Sequence, residues 1–187
     1  MINMETTISK SVTAGELMEL SLHGRYELIE GVITEMSPAG EQHGLISSII
    51  IQIVGHYVRK NKLGITTSSE TGYKLSSNPD TVKAPDMAFK SNKTLSKGDI
   101  VKGYSEIMPD LVVEVNSPAD KFIRIIKKVD SWLKAGVKEV WVFDPEERSI
   151  AIYKDNSRTR ILDINDELDR TDILPGFKCS VREFFEI

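Results

Sequence analysis

The chain has 187 residues, enough for one domain with a substantial core. It is 40% apolar and 28% charged without a low-complexity tract, and its single cysteine, Cys179, excludes an internal disulfide framework and a cysteine-built zinc site. The net charge of −4 is not the footprint of bulk electrostatic binding to nucleic acid, so such a partner would have to be met by local patches such as Arg59, Lys60, Lys62 and the Lys121–Lys128 segment.

Residues 1–10 carry acid and hydroxyl side chains and lack the apolar run of a signal peptide; they are expected to form a flexible tail ahead of one cytoplasmic domain over 11–187. Residues 11–22 have helical spacing at Leu17, Met18 and Leu20, with Thr13 placed to cap the start. Tyr26 to Met36 reads as a hairpin turning at Glu30-Gly31, and Ser37-Pro38-Ala39-Gly40 breaks the pattern. An apolar helix is predicted from Glu41 to Lys62, stopped at Gly64. Its apolar stretch, Leu45 to Val58, is interrupted by Ser47, Ser48, Gln52 and His56 and is too short and polar to span a membrane. Residues 65–75 and 84–90 read as strands around a Ser77-Asn78-Pro79-Asp80 turn, and 91–109 as a polar connection. Asp110 to Val115 is the strongest strand signal, followed by a helix from about Ala119 to Ala135 that Gly136 stops. Val137–Asp144 and Ser149–Lys154 form a further pair of strands, and the remainder reads as a short strand, a Pro175-Gly176 turn and a last helical turn. Two long helices among mostly sequential strands predict an α/β fold: a mixed sheet flanked by helices, preceded by an N-terminal helix and hairpin.

The chemistry begins in Asp110-Leu-Val-Val-Glu-Val115. Alternation puts Leu111, Val113 and Val115 on one face and Asp110, Val112, Glu114 and Asn116 on the other, so Glu114 is an acid deep in an apolar strand. To stay ionised there it needs a cation, a metal or several hydrogen bonds; a structural ion pair is as good an account of it as a functional site. Asp86 follows Pro85 at a strand entrance, 28 residues before Glu114, and can lie beside it in a sheet. Two carboxylates converging from adjacent strands make a hard oxygen site suited to magnesium or manganese, which would polarise a phosphodiester and activate water. A lysine nearby would meet the negative charge of the transition state. The position two residues after the acid is Asn116, so the lysine must come from elsewhere. On the following helix Phe122, Ile125, Ile126, Val129, Trp132 and Leu133 make one apolar face, and Lys128 and Lys121 both lie at its margin. Helical position does not choose between them, and margin lysines most often only cover apolar surface.

Taken together, Pro85-Asp86, the run Pro109-Asp-Leu-Val-Val-Glu-Val-Asn-Ser-Pro118, Lys128 with Trp132, and Glu139-Val-Trp-Val-Phe-Asp-Pro145 resemble the Uma2 family, a branch of the PD-(D/E)xK nuclease superfamily. Tyr26-Glu-Leu-Ile-Glu-Gly31, Met36-Ser-Pro38 and His43 match its N-terminal pattern, so the resemblance runs over about residues 12–187. It implies a restriction-endonuclease-like fold and an endonuclease that hydrolyses nucleic acid, DNA foremost, with Mg2+ or Mn2+. It assigns Asp86 and Glu114 as metal ligands and Lys128, rather than Lys121, as a lysine moved from strand to helix. It adds Glu27 as a further acid that orients the lysine, holds a water at the metal or serves as an outer ligand; Glu30, beside Gly31, reads as a turn residue. The sequence departs from the pattern at Arg124, where the family often has an acid, and at Trp132, where it usually has a tyrosine.

His43, near the start of the first long helix, is a candidate proton shuttle or phosphate contact, although a helix-cap neighbour or core-edge donor is the more ordinary role. His56 reads as structural and His23 as a loop residue. Trp141 and Phe143 alternate in a strand and read as core. Gly-rich phosphate loops, a nucleophile elbow and metalloprotease histidine pairs are all missing. Two readings compete with the nuclease: a non-catalytic nucleic-acid-binding module, and a partner-binding protein in which Glu114 and Lys128 form a buried pair that only specifies the fold. A homodimer is expected by analogy with nucleases that cut two strands with two sites.

Overall fold

The computed structural model describes residues 11–20, 23–96, 98, 100–118, 120–154 and 158–186; the expected N-terminal tail, 1–10, lies outside them. Thr13 caps α1 (Ala14–Glu19) as its sequence predicts, with Glu16 closing a capping box. The hairpin β1 (Arg25–Ile29) and β2 (Val32–Met36) turns through Glu30 at φ 50° and Gly31 at φ 77°, the left-handed pair that fits strand twist. There follow α2 (Glu41–Lys60), β3 (Gly64–Ser68), β4 (Tyr73–Ser76), β5 (Thr81–Lys83), β6 (Met87–Ser91) and a single turn, α3 (Asn92–Leu95). The second half holds β7 (Leu111–Val115), α4 (Phe122–Lys134), β8 (Glu139–Asp144), β9 (Ser149–Lys154), β10 (Arg160–Leu162), β11 (Glu167–Asp169), β12 (Lys178–Ser180) and a 3-10 turn, Val181–Phe184.

The central sheet has six strands in the order β10-β9-β8-β7-β6-β3. Only β7 and β8 run parallel, and α4 is the crossover that a parallel pair requires. As alternation predicts, the two faces of β7 serve two cores. Leu111, Val113 and Val115 pack with Met87, Trp141, Phe143 and the buried stripe Ile46, Ile50, Val54 and Val58 of α2. Val112, with Ala88, Val140 and Val142, packs on Val129 and Trp132 of α4. A separate four-stranded antiparallel sheet, β2-β1-β5-β4, lies against α1 through Leu28, Val82, Ala14 and Leu17. Among the described residues no helix is long and apolar enough to cross a membrane.

The C-terminal segment is more structured than its sequence suggests. Leu168, Leu174, Phe177, Cys179, Val181 and Phe184 join the α2-side core, with Phe177 stacked on Trp141 at 6.4 Å and Phe184 edge-on to Phe143 at 5.1 Å. Arg170 fixes the segment with two bonds, 2.7 and 2.6 Å, to the buried Glu139.

Several expectations shift. The strand predicted over 65–75 divides at the Ser69–Gly72 turn, so that β3 enters the central sheet and β4 the smaller one. The strand predicted from 84 has a separate predecessor, β5, on the far side of Ala84-Pro85, where proline withholds a ladder donor. Gly64 does not stop α2, which ends at Asn61; it opens β3 where a Cβ would lie 2.0 Å from the Lys90 carbonyl oxygen. On α4 the helix starts late, and Phe122, expected on the apolar face, is 74% exposed. His56, read as structural, lies exposed on α2.

Candidate active site

Glu114 is 5% exposed and points from β7 toward α4. Both of its oxygens are occupied by that helix: Oε1 accepts from Trp132 Nε1 at 2.7 Å and Oε2 from Lys128 Nζ at 2.9 Å. Lys128 and Trp132 are four residues apart, one above the other on the helix, which is why one carboxylate meets both. Burial pushes the Glu114 carboxyl up, and the lysine charge and the two donors pull it back. Since both oxygens accept, the pair stands as carboxylate and ammonium. Lys128 is raised above the ordinary lysine range, first by Glu114 and against the cost of burial, with Asp86 and Glu27 adding to it.

Asp86 reaches the same place from the neighbouring strand. The β6–β7 register pairs Met87 with Val113, and one further step sets Asp86 opposite Glu114. The ladder ends there at Pro85, and Asp86 Oδ2 instead accepts the Val115 N–H at 2.8 Å. The same oxygen lies 3.2 Å from Nε2 of His43, in the first turn of α2. The imidazole is raised above its usual 6.5 by its hydrogen bond to Asp86, which outweighs burial. Glu27, buried on β1, completes the group from the smaller sheet.

Glu27, His43, Asp86, Glu114 and Lys128 all line one cleft of about 1640 Å³ between the smaller sheet and α4. Lys121, the rival lysine, does not line it: it is the exposed N-cap of α4, because the helix begins three residues later than expected. Asn116 gives its amide to Asp144 Oδ2 at 3.2 Å. Glu30 sits in the hairpin turn and His23 in a bend before β1.

Two features escape the sequence reading. Trp132 is a donor to the site acid as well as a core residue; the signal is that a buried indole N–H must find an acceptor. Glu139, only 1% exposed, is a second buried acid, held by Arg170, Trp141 Nε1 at 2.6 Å and Lys154 at 3.1 Å. It pairs in register with Leu111, three residues or about 10 Å along the strands from Glu114, and does not line the cleft.

Among the described residues no three His, Cys, Asp or Glu side chains are grouped to hold a metal ion by themselves. The donors present nevertheless suit a hard divalent cation. Magnesium is commonly held by one or two carboxylates and takes its remaining ligands from water and substrate phosphate. Asp86 and Glu114, on adjacent strands at the cleft, are such a pair.

A family model described as Uma2, putative restriction endonuclease, matches residues 16–182. The crystal structure of a putative nuclease belonging to DUF820 from Anabaena variabilis is similar in fold: TM-score 0.79 at 20% identity, covering 93% of this chain and 97% of that one. No curated protein matches the chain.

Proposed function

The chain belongs to the Uma2 family of putative restriction endonucleases, and on that premise we propose that it hydrolyses phosphodiester bonds of nucleic acid, DNA foremost, with magnesium or manganese. The observation that carries this reading is the meeting of Asp86, Glu114 and Lys128, with His43 and Glu27, in one large cleft. Asp86 and Glu114 would hold the cation, which when bound supplies a Lewis acid for the phosphoryl oxygens and lowers the pKa of water. Lys128, a third exposed and fixed on Glu114, presents a permanent positive charge to a phosphate in the cleft. The Glu27 charge helps keep that lysine protonated. His43, protonated more readily than a free imidazole, can hand a proton to a leaving oxygen while Asp86 orients its ring.

A second reading has its own support. Both oxygens of Glu114 already have protein donors, as a carboxylate that only fastens α4 to the sheet would. Calorimetric titration with Mn2+ separates the two, run on wild type, Asp86→Asn and Glu114→Gln, together with cleavage of mixed DNA substrates. The nuclease reading expects manganese binding and cleavage in wild type and loss of both in each folded variant. Cleavage that survives Glu114→Gln would overturn the assignment.

A further inference from the structure

The cleft's two walls differ in chemistry. On α4, Arg124, Lys127, Lys128 and Lys134 follow one another at helical spacing and all line it. Lys128 belongs to Glu114 and Lys134 lies 3.4 Å from Asp130, but among the described residues no carboxylate is within ion-pair reach of Arg124 or Lys127. From Arg124 to Lys134 is ten residues, about 15 Å of helix.

The facing wall is the open side of the smaller sheet. Alternation on the hairpin puts Leu28 and Ile33 against α1 and leaves Arg25, Glu27, Ile29, Val32, Thr34 and Met36 on the opposite side. Ile29, 37% exposed, and Met36 line the cleft from this side, and Leu75 continues the apolar surface toward α4. The cations there are Lys83 and Arg25, the latter 3.4 Å from Glu70, and Glu27 and Glu30 add acid.

A cationic wall facing an apolar one suits a polymer that is charged along one side and flat and apolar along the other. We propose that the cleft takes a single unpaired nucleic-acid strand, its phosphates along Arg124, Lys127 and Lys134 and its bases against Ile29, Met36 and Leu75. A duplex presents phosphates on both flanks and keeps its bases stacked inside; the sheet wall would meet those phosphates with Lys83 and the Glu70-paired Arg25 alone, set among Glu27, Glu30 and hydrocarbon. The inference rests on the nuclease reading for the direction of the strand toward Glu114, and its binding geometry can be tested without turnover.

The test is fluorescence anisotropy in EDTA, so that no divalent cation supports cleavage. The probes are a labelled thymidine oligonucleotide of about 20 nucleotides and a duplex of equal length, titrated over a range of salt. Wild type is expected to bind the single strand more tightly than the duplex. Arg124→Gln with Lys127→Gln removes two phosphate contacts, so the salt slope falls by about 1.4 and single-strand affinity about 25-fold at 0.1 M salt. Ile29→Ser, at an exposed position, removes apolar surface without adding charge, so it weakens the single strand and leaves the duplex unchanged. Equal or tighter duplex binding overturns the inference while leaving the nuclease reading intact, as does an unchanged salt slope in the double variant. Binding to neither probe also overturns it. Single-strand binding without manganese-dependent cleavage of any nucleic acid sinks the nuclease reading and supports this one.

Discussion

Replacing Lys128 with methionine keeps most of the side chain's bulk and removes its charge from a carboxylate that is 5% exposed. Breaking a buried pair on one side costs about 3–5 kcal/mol, because the remaining charge is left uncompensated. The Lys128 side chain is itself 34% exposed, which admits water to the pair and places the expected loss at the low end, about 3 kcal/mol. Glu114 can escape part of that loss by taking up a proton. Its folded-state carboxyl is already raised by burial, and without the lysine it rises further. A raised folded-state pKa contributes stability that is present below the unfolded value of 4.5 and is lost as pH rises through the folded value. The deficit of K128M against wild type is therefore largest at about pH 7 and shrinks as pH falls toward about 5. Urea denaturation at several pH values measures it, read at constant m-value. Adding Glu114→Gln to K128M removes the stranded charge while leaving an oxygen for Trp132, and should restore most of the loss. A deficit under about 1 kcal/mol at neutral pH, one that does not change with pH, or a double variant no more stable than K128M would each refute the reasoning.

Trp132→Phe takes away the donor to Glu114 Oε1, a charge-assisted bond whose loss costs about 1.5–3 kcal/mol; a denaturation midpoint equal to wild type's would contradict the assigned bond. In metal-free protein the His43 imidazole should titrate above 6.5 by NMR and move back toward 6.5 in Asp86→Asn. Its raised pKa contributes stability below 6.5 that is lost as pH rises through the folded value, so His43→Gln should cost more at about pH 6 than at about pH 9. An imidazole that titrates at or below 6.5 in wild type would exclude the Asp86 contact in solution.

The parts of this fold that were legible in the sequence are those whose pattern is local. Alternation alone separated Glu114 from Leu111, Val113 and Val115, and those three do face α2 while Glu114 faces α4. Thr13, Glu30-Gly31 and Gly136 marked their helix and turn boundaries for the same reason. What was not legible depends on distant chain segments: His43 was a candidate, but its pairing with Asp86 was not readable. His43 is 43 residues from Asp86, and its short side chain gives no sign of which strand end the first turn of α2 will meet. The run Ile65 to Leu75 reads as one strand because Thr and Ser are tolerated in strands and turns alike, so nothing local announces that β3 and β4 belong to different sheets. Lys121 and Lys128 were equivalent on an ideal wheel; the late start of α4 separates them by leaving Lys121 in an extended conformation at the cap.

The position of the C-terminal segment has a consequence for how the protein is made. Trp141, Phe143 and Ile150 are covered on one face by residues that follow them by some 20 to 40 positions: Leu168, Leu174, Phe177, Val181 and Phe184. Translation delivers those covering residues after the strands they cover. While a ribosome is still synthesising the chain beyond β9, the central sheet has α2 on that face but lacks the rest of its apolar cover, and the carboxylate of Glu139 lacks Arg170. Long-range closure of this kind comes late in folding. The nascent chain therefore carries an open aromatic surface and a half-solvated acid until Arg170 and Phe184 emerge, and it is during that interval that it most needs protection from other chains.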